Sequence, residues 1–174
     1  MSKTIIYFFV LFIIMVLVQA VIFNQICLFG VALPLVFIYF IVRLPITLST
    51  NWVLTLSFLL GLSVDIFSNT QGMNALACTI TAMMRRPILR LYFPREDDLS
   101  NPEPSIRSLG MGIYIKYLLT IVIVYCFLLF MIEAFSLFSP LQLLLRIIAS
   151  SALTFILILG LDSLTNKKTY NRST

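Results

Sequence analysis

The chain has 174 residues, of which 60% are hydrophobic and 11% charged, and its mean hydropathy is +1.05. Soluble domains carry roughly 45–50% apolar residues, so the composition excludes a soluble globular protein and indicates a single all-α integral membrane unit. A net charge of +5 does not argue for nucleic acid, because the basic residues flank hydrophobic runs instead of forming a solvated basic face; they read as topology signals. There is no histidine, and the three cysteines, Cys27, Cys78 and Cys126, lie inside apolar runs, where they behave as small hydrophobes more readily than as disulfides or metal ligands.

The pattern predicts six membrane segments. The first, residues 5–23, is apolar apart from Gln19 and is long enough for a span of about 20 residues; no A-x-A-like cleavage site follows it, so it reads as a retained helix. The second, 26–42, contains Pro34 and closes at Arg43 and Pro45; it reads as a kinked helix, since membrane helices tolerate proline where neighbours satisfy the freed carbonyl. Trp52, an interfacial residue type, opens the third segment, 52–67, and a fourth, 72–84, stops at Arg85-Arg86-Pro87. The polar connection 85–111 carries five arginines and the acidic cluster Glu96-Asp97-Asp98, most simply a solvated loop, with docking of a cytoplasmic partner as the sharper reading. Segments at 112–132 and 141–161 complete the chain, Glu133 and Arg146 flanking the turn between them, and Asp162 is expected near Lys167 and Lys168.

Of the twelve Lys and Arg residues only Arg146 falls opposite the rest when both termini are cytoplasmic, so the positive-inside rule predicts a multi-pass protein with that orientation. The prediction is unchanged if segments three and four form a re-entrant hairpin.

Those two segments hold the main clue. Thirteen residues, 72–84, cover about 20 Å as a helix, short of a hydrocarbon core of about 30 Å. Such segments either shelter inside a bundle of longer neighbours or mark a midplane binding site. Ser57, Gly61, Asp65 and Ser68 recur at helical spacing, as do Gly72, Ala75, Thr79 and Ala82, so two small-residue stripes are expected to face each other and pack closely. Asp65 has two readings: a cap at the turn accepting from Ser68, Asn69 or Thr70, or a buried proton or partner site, intramembrane acids being functional candidates by default. Gly61, Asp65, Ser68, Gly72, Asn74, Arg85 and Arg86 are therefore the candidate packing or partner-binding residues, and Glu133 with Arg146 is a candidate structural ion pair. No residue pattern points to catalysis, a cofactor or a metal: H-E-x-x-H, a Ser-His arrangement and a phosphate-cradling Gly loop are all lacking.

The stretch GLSVDIFSNTQGMNALA resembles the rod shape-determining protein family MreD, in its Bacteroidetes-type branch: Gly61, Asp65 and Gly72 match a G-x-x-x-D, short loop, glycine pattern, and span number and length agree over most of the chain. The resemblance implies a six-helix transmembrane bundle similar to the S-components of energy-coupling-factor transporters, in a cell inner membrane. It implies a non-enzymatic scaffold of the cell-elongation machinery, working with the single-span periplasmic protein MreC, the actin-like MreB and, through these, peptidoglycan synthases. The alternative function is a vitamin-binding S-component, which wants convergent polar and aromatic groups and an alanine-spaced docking face on the first helix, where only Ala20 stands. A membrane enzyme ranks third, for want of a catalytic set.

Overall fold

The computed structural model describes residues 2–23, 33–93, 104–133 and 140–170. Cys27, Arg95, the Glu96-Asp97-Asp98 cluster and Arg172 lie outside the described residues. The described residues form an all-α bundle, in which Thr50–Ser68, Met111–Glu133 and Leu143–Ser163 are long and apolar enough to cross a bilayer. The protein is a multi-pass membrane protein.

Helix α1, Ser2–Val18, runs into a π-helical turn at Gln19–Phe23. Met15, Val16 and Gln19 face inward, while Ile6, Phe9, Val10, Ile13, Ile14 and Leu17 are exposed, as an apolar helix bordering lipid requires. Edge-to-face contacts of Phe8 and Phe12 with Phe40, at 6.4 and 5.5 Å between ring centroids, join α1 to the second element.

The second segment departs from the kinked helix expected over 26–42. Among its described residues only α2, Ile38–Arg43, is helical, and residues 33–37 are not. The reason is local and then tertiary. Pro34 supplies no N–H and biases Leu33 away from helical backbone. The backbone groups so released are met by side chains of the π-helical turn and the last helix, the condition under which irregular backbone survives inside a membrane protein. All six residues of α2 are buried: five are apolar or aromatic, and the sixth, Arg43, is paired with Asp162.

Helix α3, Thr50–Ser68, ends at Asn69 in the left-handed conformation (φ 54°), and α4, Met73–Tyr92, begins after Gly72 at φ 76°. Two positive-φ residues within four thus turn the hairpin, and at Gly72 the absent Cβ makes that conformation cheap. The two helices approach at backbone distance. A Cβ added to Gly61 would lie 2.6 Å from the Ala75 Cα and 2.6 Å from the Asn74 carbonyl oxygen.

Helix α4 also corrects an expectation. It does not stop at Arg85-Arg86-Pro87 but carries Pro87 inside it and continues to Tyr92. Its 20 residues make about 30 Å, but Arg85, Arg86 and Arg90 stand in its last eight, and α4 is not among the described helices long and apolar enough to cross a bilayer. Proline removes one rung of the ladder, and Arg85 and Arg86, just before it, donate to the carbonyls of Leu44, Ile46 and Leu48.

After the single turn α5, Ile106–Leu109, and Gly110 at φ 79°, helix α6, Met111–Glu133, buries Tyr114, Tyr117, Leu118, Ile121, Val122, Tyr125, Cys126, Leu129 and Phe130. That broad inward face packs against α4 and the final helix. Helix α7, Pro140–Tyr170, starts with proline, whose fixed φ suits a first helical turn. Its buried residues Ile147, Ser150, Thr154, Ile158 and Asp162 form one narrow stripe, and its leucines and isoleucines at 141, 144, 145, 148 and 156 are exposed. Polar groups inside and apolar groups outside is the pattern of a helix solvated by lipid on most of its circumference.

Candidate functional site

The polar side chains in this apolar chain gather at two levels of the bundle, one at the hairpin turn and one at the opposite, arginine-bearing end.

At the turn, Asp65 is 3% exposed and sits over the start of α4. Its Oδ1 accepts from the Thr70 hydroxyl, from the Asn74 N–H at 3.0 Å and from Asn74 Nδ2 at 2.9 Å. Its Oδ2 accepts from the Ala75 N–H at 2.8 Å. The first backbone N–H groups of a helix have no partner within it, and the helix dipole favours an anion there; a carboxylate from α3 fulfils both needs of α4. Each of the two readings of Asp65 therefore describes part of the finding: the residue is buried, and it caps, but the helix it caps is the next one. Asn74 extends the linkage, accepting from the Tyr125 hydroxyl at 2.7 Å. Asp65, Asn74 and Tyr125 thus tie α3, α4 and α6 together.

A second clamp holds the irregular segment. Gln19 Nε2 donates to the Pro34 carbonyl at 3.0 Å, and the Val36 N–H donates to Gln19 Oε1 at 3.1 Å. The Leu33 and Leu35 N–H groups donate to Ser150 Oγ and Thr154 Oγ1 at 3.0 and 3.1 Å. These bonds replace the helical ladder that Pro34 interrupts. On the same level Arg146 Nη1 donates to Glu133 Oε1 at 3.2 Å, with both side chains about a third exposed.

At the opposite end Arg85 is buried. Its Nη2 donates to the Leu44 carbonyl and its Nε to the Tyr117 hydroxyl at 3.1 Å. Arg86 Nη2 reaches the carbonyls of Ile46 and Leu48 at 3.2 and 2.7 Å. The arginine pair thus satisfies carbonyls just beyond the C-terminus of α2, where a cation also suits the helix dipole. Asp162 is wholly buried and faces Arg43 Nη1 at 3.6 Å, while the Tyr39 hydroxyl donates to its Oδ1 at 3.2 Å. The Arg43 guanidinium carbon stands 5.7 Å from the centre of the Tyr39 ring, within cation–π range. The partner expected for Asp162 was the Lys167 and Lys168 pair; those side chains lie outside the described residues, and the contacts of Asp162 run inward, because helical phase puts it on the buried stripe of α7.

Sequence reasoning singled out Asp65, Asn74, Gly61, Gly72, Arg85, Arg86 and the Glu133–Arg146 pair, and the structure distributes them over both levels. Ser68 lines a cavity beside the turn. Missed were Gln19, Ser150 and Thr154, Tyr125, and the Arg43–Asp162 pair. A signal existed for some: Gln19 interrupts an apolar run, and Ser150 and Thr154 are four apart on one face of a long apolar helix.

The cavity measures about 150 Å³. Gln19, Leu33 and Leu35 form one wall, Thr70, Met73 and Asn74 another, and Leu129 and Glu133 of α6 a third.

No protein-family model matches this chain, and comparison with curated proteins and with solved structures finds no match.

Proposed function

We propose that this protein is a non-enzymatic membrane scaffold of the cell-elongation machinery, seated in the cell inner membrane with both termini cytoplasmic. In this reading it couples actin-like MreB filaments and a single-span periplasmic protein of the MreC type to peptidoglycan synthesis. The observation that carries the reading is the state of Asp65. A carboxylate that already accepts from two backbone N–H groups, an amide and a hydroxyl is engaged in holding helices together. The other buried charges described above, Arg85, Arg43 and Asp162, are likewise spent on contacts between elements. A rigid bundle whose exposed helix faces are apolar suits a platform for other membrane segments better than it suits a reaction centre.

The test is depletion of the protein with microscopy of the cells, combined with copurification from solubilised membranes. Rounded cells and recovery of a single-span periplasmic partner are expected. Normal shape with impaired uptake of a vitamin overturns the scaffold in favour of a transporter S-component.

A further inference from the structure

The cavity beside the hairpin turn is bounded by four stretches of chain that are distant in sequence, and each wall is pinned by a side chain from elsewhere. Gln19, Ser150 and Thr154 hold residues 33–36. Asp65 holds Thr70 and Asn74, and Arg146 holds Glu133. Walls fixed in this way are preorganised, the condition under which a site binds without first having to order itself.

Two features of the backbone point to the same place. The irregular stretch 33–37 leads into α2 and is buried from Pro34 onward, and non-helical backbone inside a membrane protein is tolerated where it is buried in protein or lines a cavity. Gln19 stands in a π-helical turn, a rare local geometry that is frequent at functional sites. Both meet at this cavity, whose lining includes Gln19, Leu33 and Leu35.

The lining also restricts the occupant. Its apolar part is aliphatic, from Leu33, Leu35, Val64, Met73 and Leu129; its polar side chains Gln19, Thr70 and Asn74 are hydrogen-bonded within the protein, and its one charged side chain among the described residues, Glu133, is paired with Arg146. A volume of about 150 Å³ accommodates a molecule the size of a single six-membered ring, and lies below the roughly 300–1,000 Å³ of pockets that take drug-sized ligands. We propose that this cavity is a binding site for a small, freely diffusing molecule without net charge and with a ring-sized apolar body. This site is independent of the scaffold reading, and binding is measured without reference to cell shape.

Purified full-length protein in detergent is titrated with benzamide and with benzoate by ligand-observed nuclear magnetic resonance. Saturable binding of benzamide at millimolar concentration or below is expected, with benzoate at least about tenfold weaker because no cation among the described lining residues compensates the desolvation of its carboxylate. Leu33→Trp and Met73→Trp fill the cavity from two separate walls, and each side chain is only half-buried, so both variants are expected to melt within a few degrees of the parent and to bind benzamide at least about tenfold more weakly. Absence of saturable benzamide binding in detergent, equal binding of benzoate, or undiminished binding by folded tryptophan variants overturns the proposal. The comparison of benzamide with benzoate needs no variant, so it decides the matter even if both substitutions prevent folding.

Discussion

The Asp65 carboxylate accepts the N–H of Ala75, ten residues further along the chain, at 2.8 Å, so that the last turns of α3 cap the first turn of α4. A conventional N-cap comes from the residue just before the helix. Here that position is Gly72, which makes no side-chain cap bond, and the cap arrives from across the hairpin. Asp65→Ala removes the acceptor for four donors, and leaving buried donors unpaired costs about 1–3 kcal/mol each, partly offset by relaxation. The expected loss is about 3–5 kcal/mol, read as a lower melting temperature in detergent. Asp65→Asn keeps the shape and part of the accepting capacity and is expected to fall between. Unchanged stability of both variants would reduce Asp65 to an ordinary turn residue.

Gly61 is required for a different reason. Any side chain there meets Ala75 backbone at under 3 Å, and backbone cannot yield as a flexible side chain does. Gly61→Ala is expected to push α3 from α4 and to cost about 1–3 kcal/mol as overpacking does. Gly72→Ala meets no neighbouring atom but must hold a positive φ, at about 1 kcal/mol. Thermal melts of the two variants side by side distinguish close approach from backbone conformation, and equal losses would count against the packing account.

The buried pair of Arg43 and Asp162 predicts strong non-additivity. Removing one member strands the other charge in the interior at about 3–5 kcal/mol, whereas replacing both by apolar groups is often neutral. Asp162→Leu and Arg43→Met are each expected to destabilise sharply, and the double variant to recover most of the loss. A double-mutant cycle measures this, and additive effects would show that the 3.6 Å contact contributes little.

The pair of Glu133 and Arg146 is about a third exposed on each side, and exposed ion pairs are worth about 0–1 kcal/mol. Glu133→Arg alone is expected to lower protein levels slightly, through like-charge repulsion, and the exchanged pair Glu133→Arg with Arg146→Glu to restore them. Quantitative immunoblots of membranes suffice, and equal loss in the single and exchanged variants would dismiss the pair.

Gln19 completes the set. Gln19→Leu keeps the helix apolar but strands the Pro34 carbonyl and the Val36 N–H, at about 2–4 kcal/mol for two buried groups. Ser150→Ala removes one weaker bond, for which membrane proteins average about 0.6 kcal/mol. Melting temperatures ordered parent, Ser150→Ala, Gln19→Leu are expected; a Gln19→Leu protein as stable as the parent would mean that the irregular segment is held by packing alone.

Much of the architecture was legible in the residues. Apolar runs at 52–67, 112–132 and 141–161 correspond to helices found within one to two residues at most ends, although α7 runs on to Tyr170. The small-residue spacing at Gly61 and Ala75 marked a helix pair whose backbones meet. Those features are local, since length, periodicity and side-chain size act within a few turns.

The sequence by itself determined the solvent, the helical class and the position of the hairpin, because a membrane chain satisfies its backbone as helices or a closed barrel and apolar runs near 20 residues have the length of helices, about twice that of barrel strands. Only the tertiary structure decided that residues 33–37 leave the helix, that α4 continues through Pro87, and that Asp162 turns to Arg43. Each of these rests on partners from other elements: Ser150 and Thr154 lie 117 and 119 residues from the backbone groups they serve, and Arg85 lies 41 residues from the carbonyl it holds. Whether a proline breaks a helix or is carried within it depends on whether such partners are in reach, and that is settled by packing.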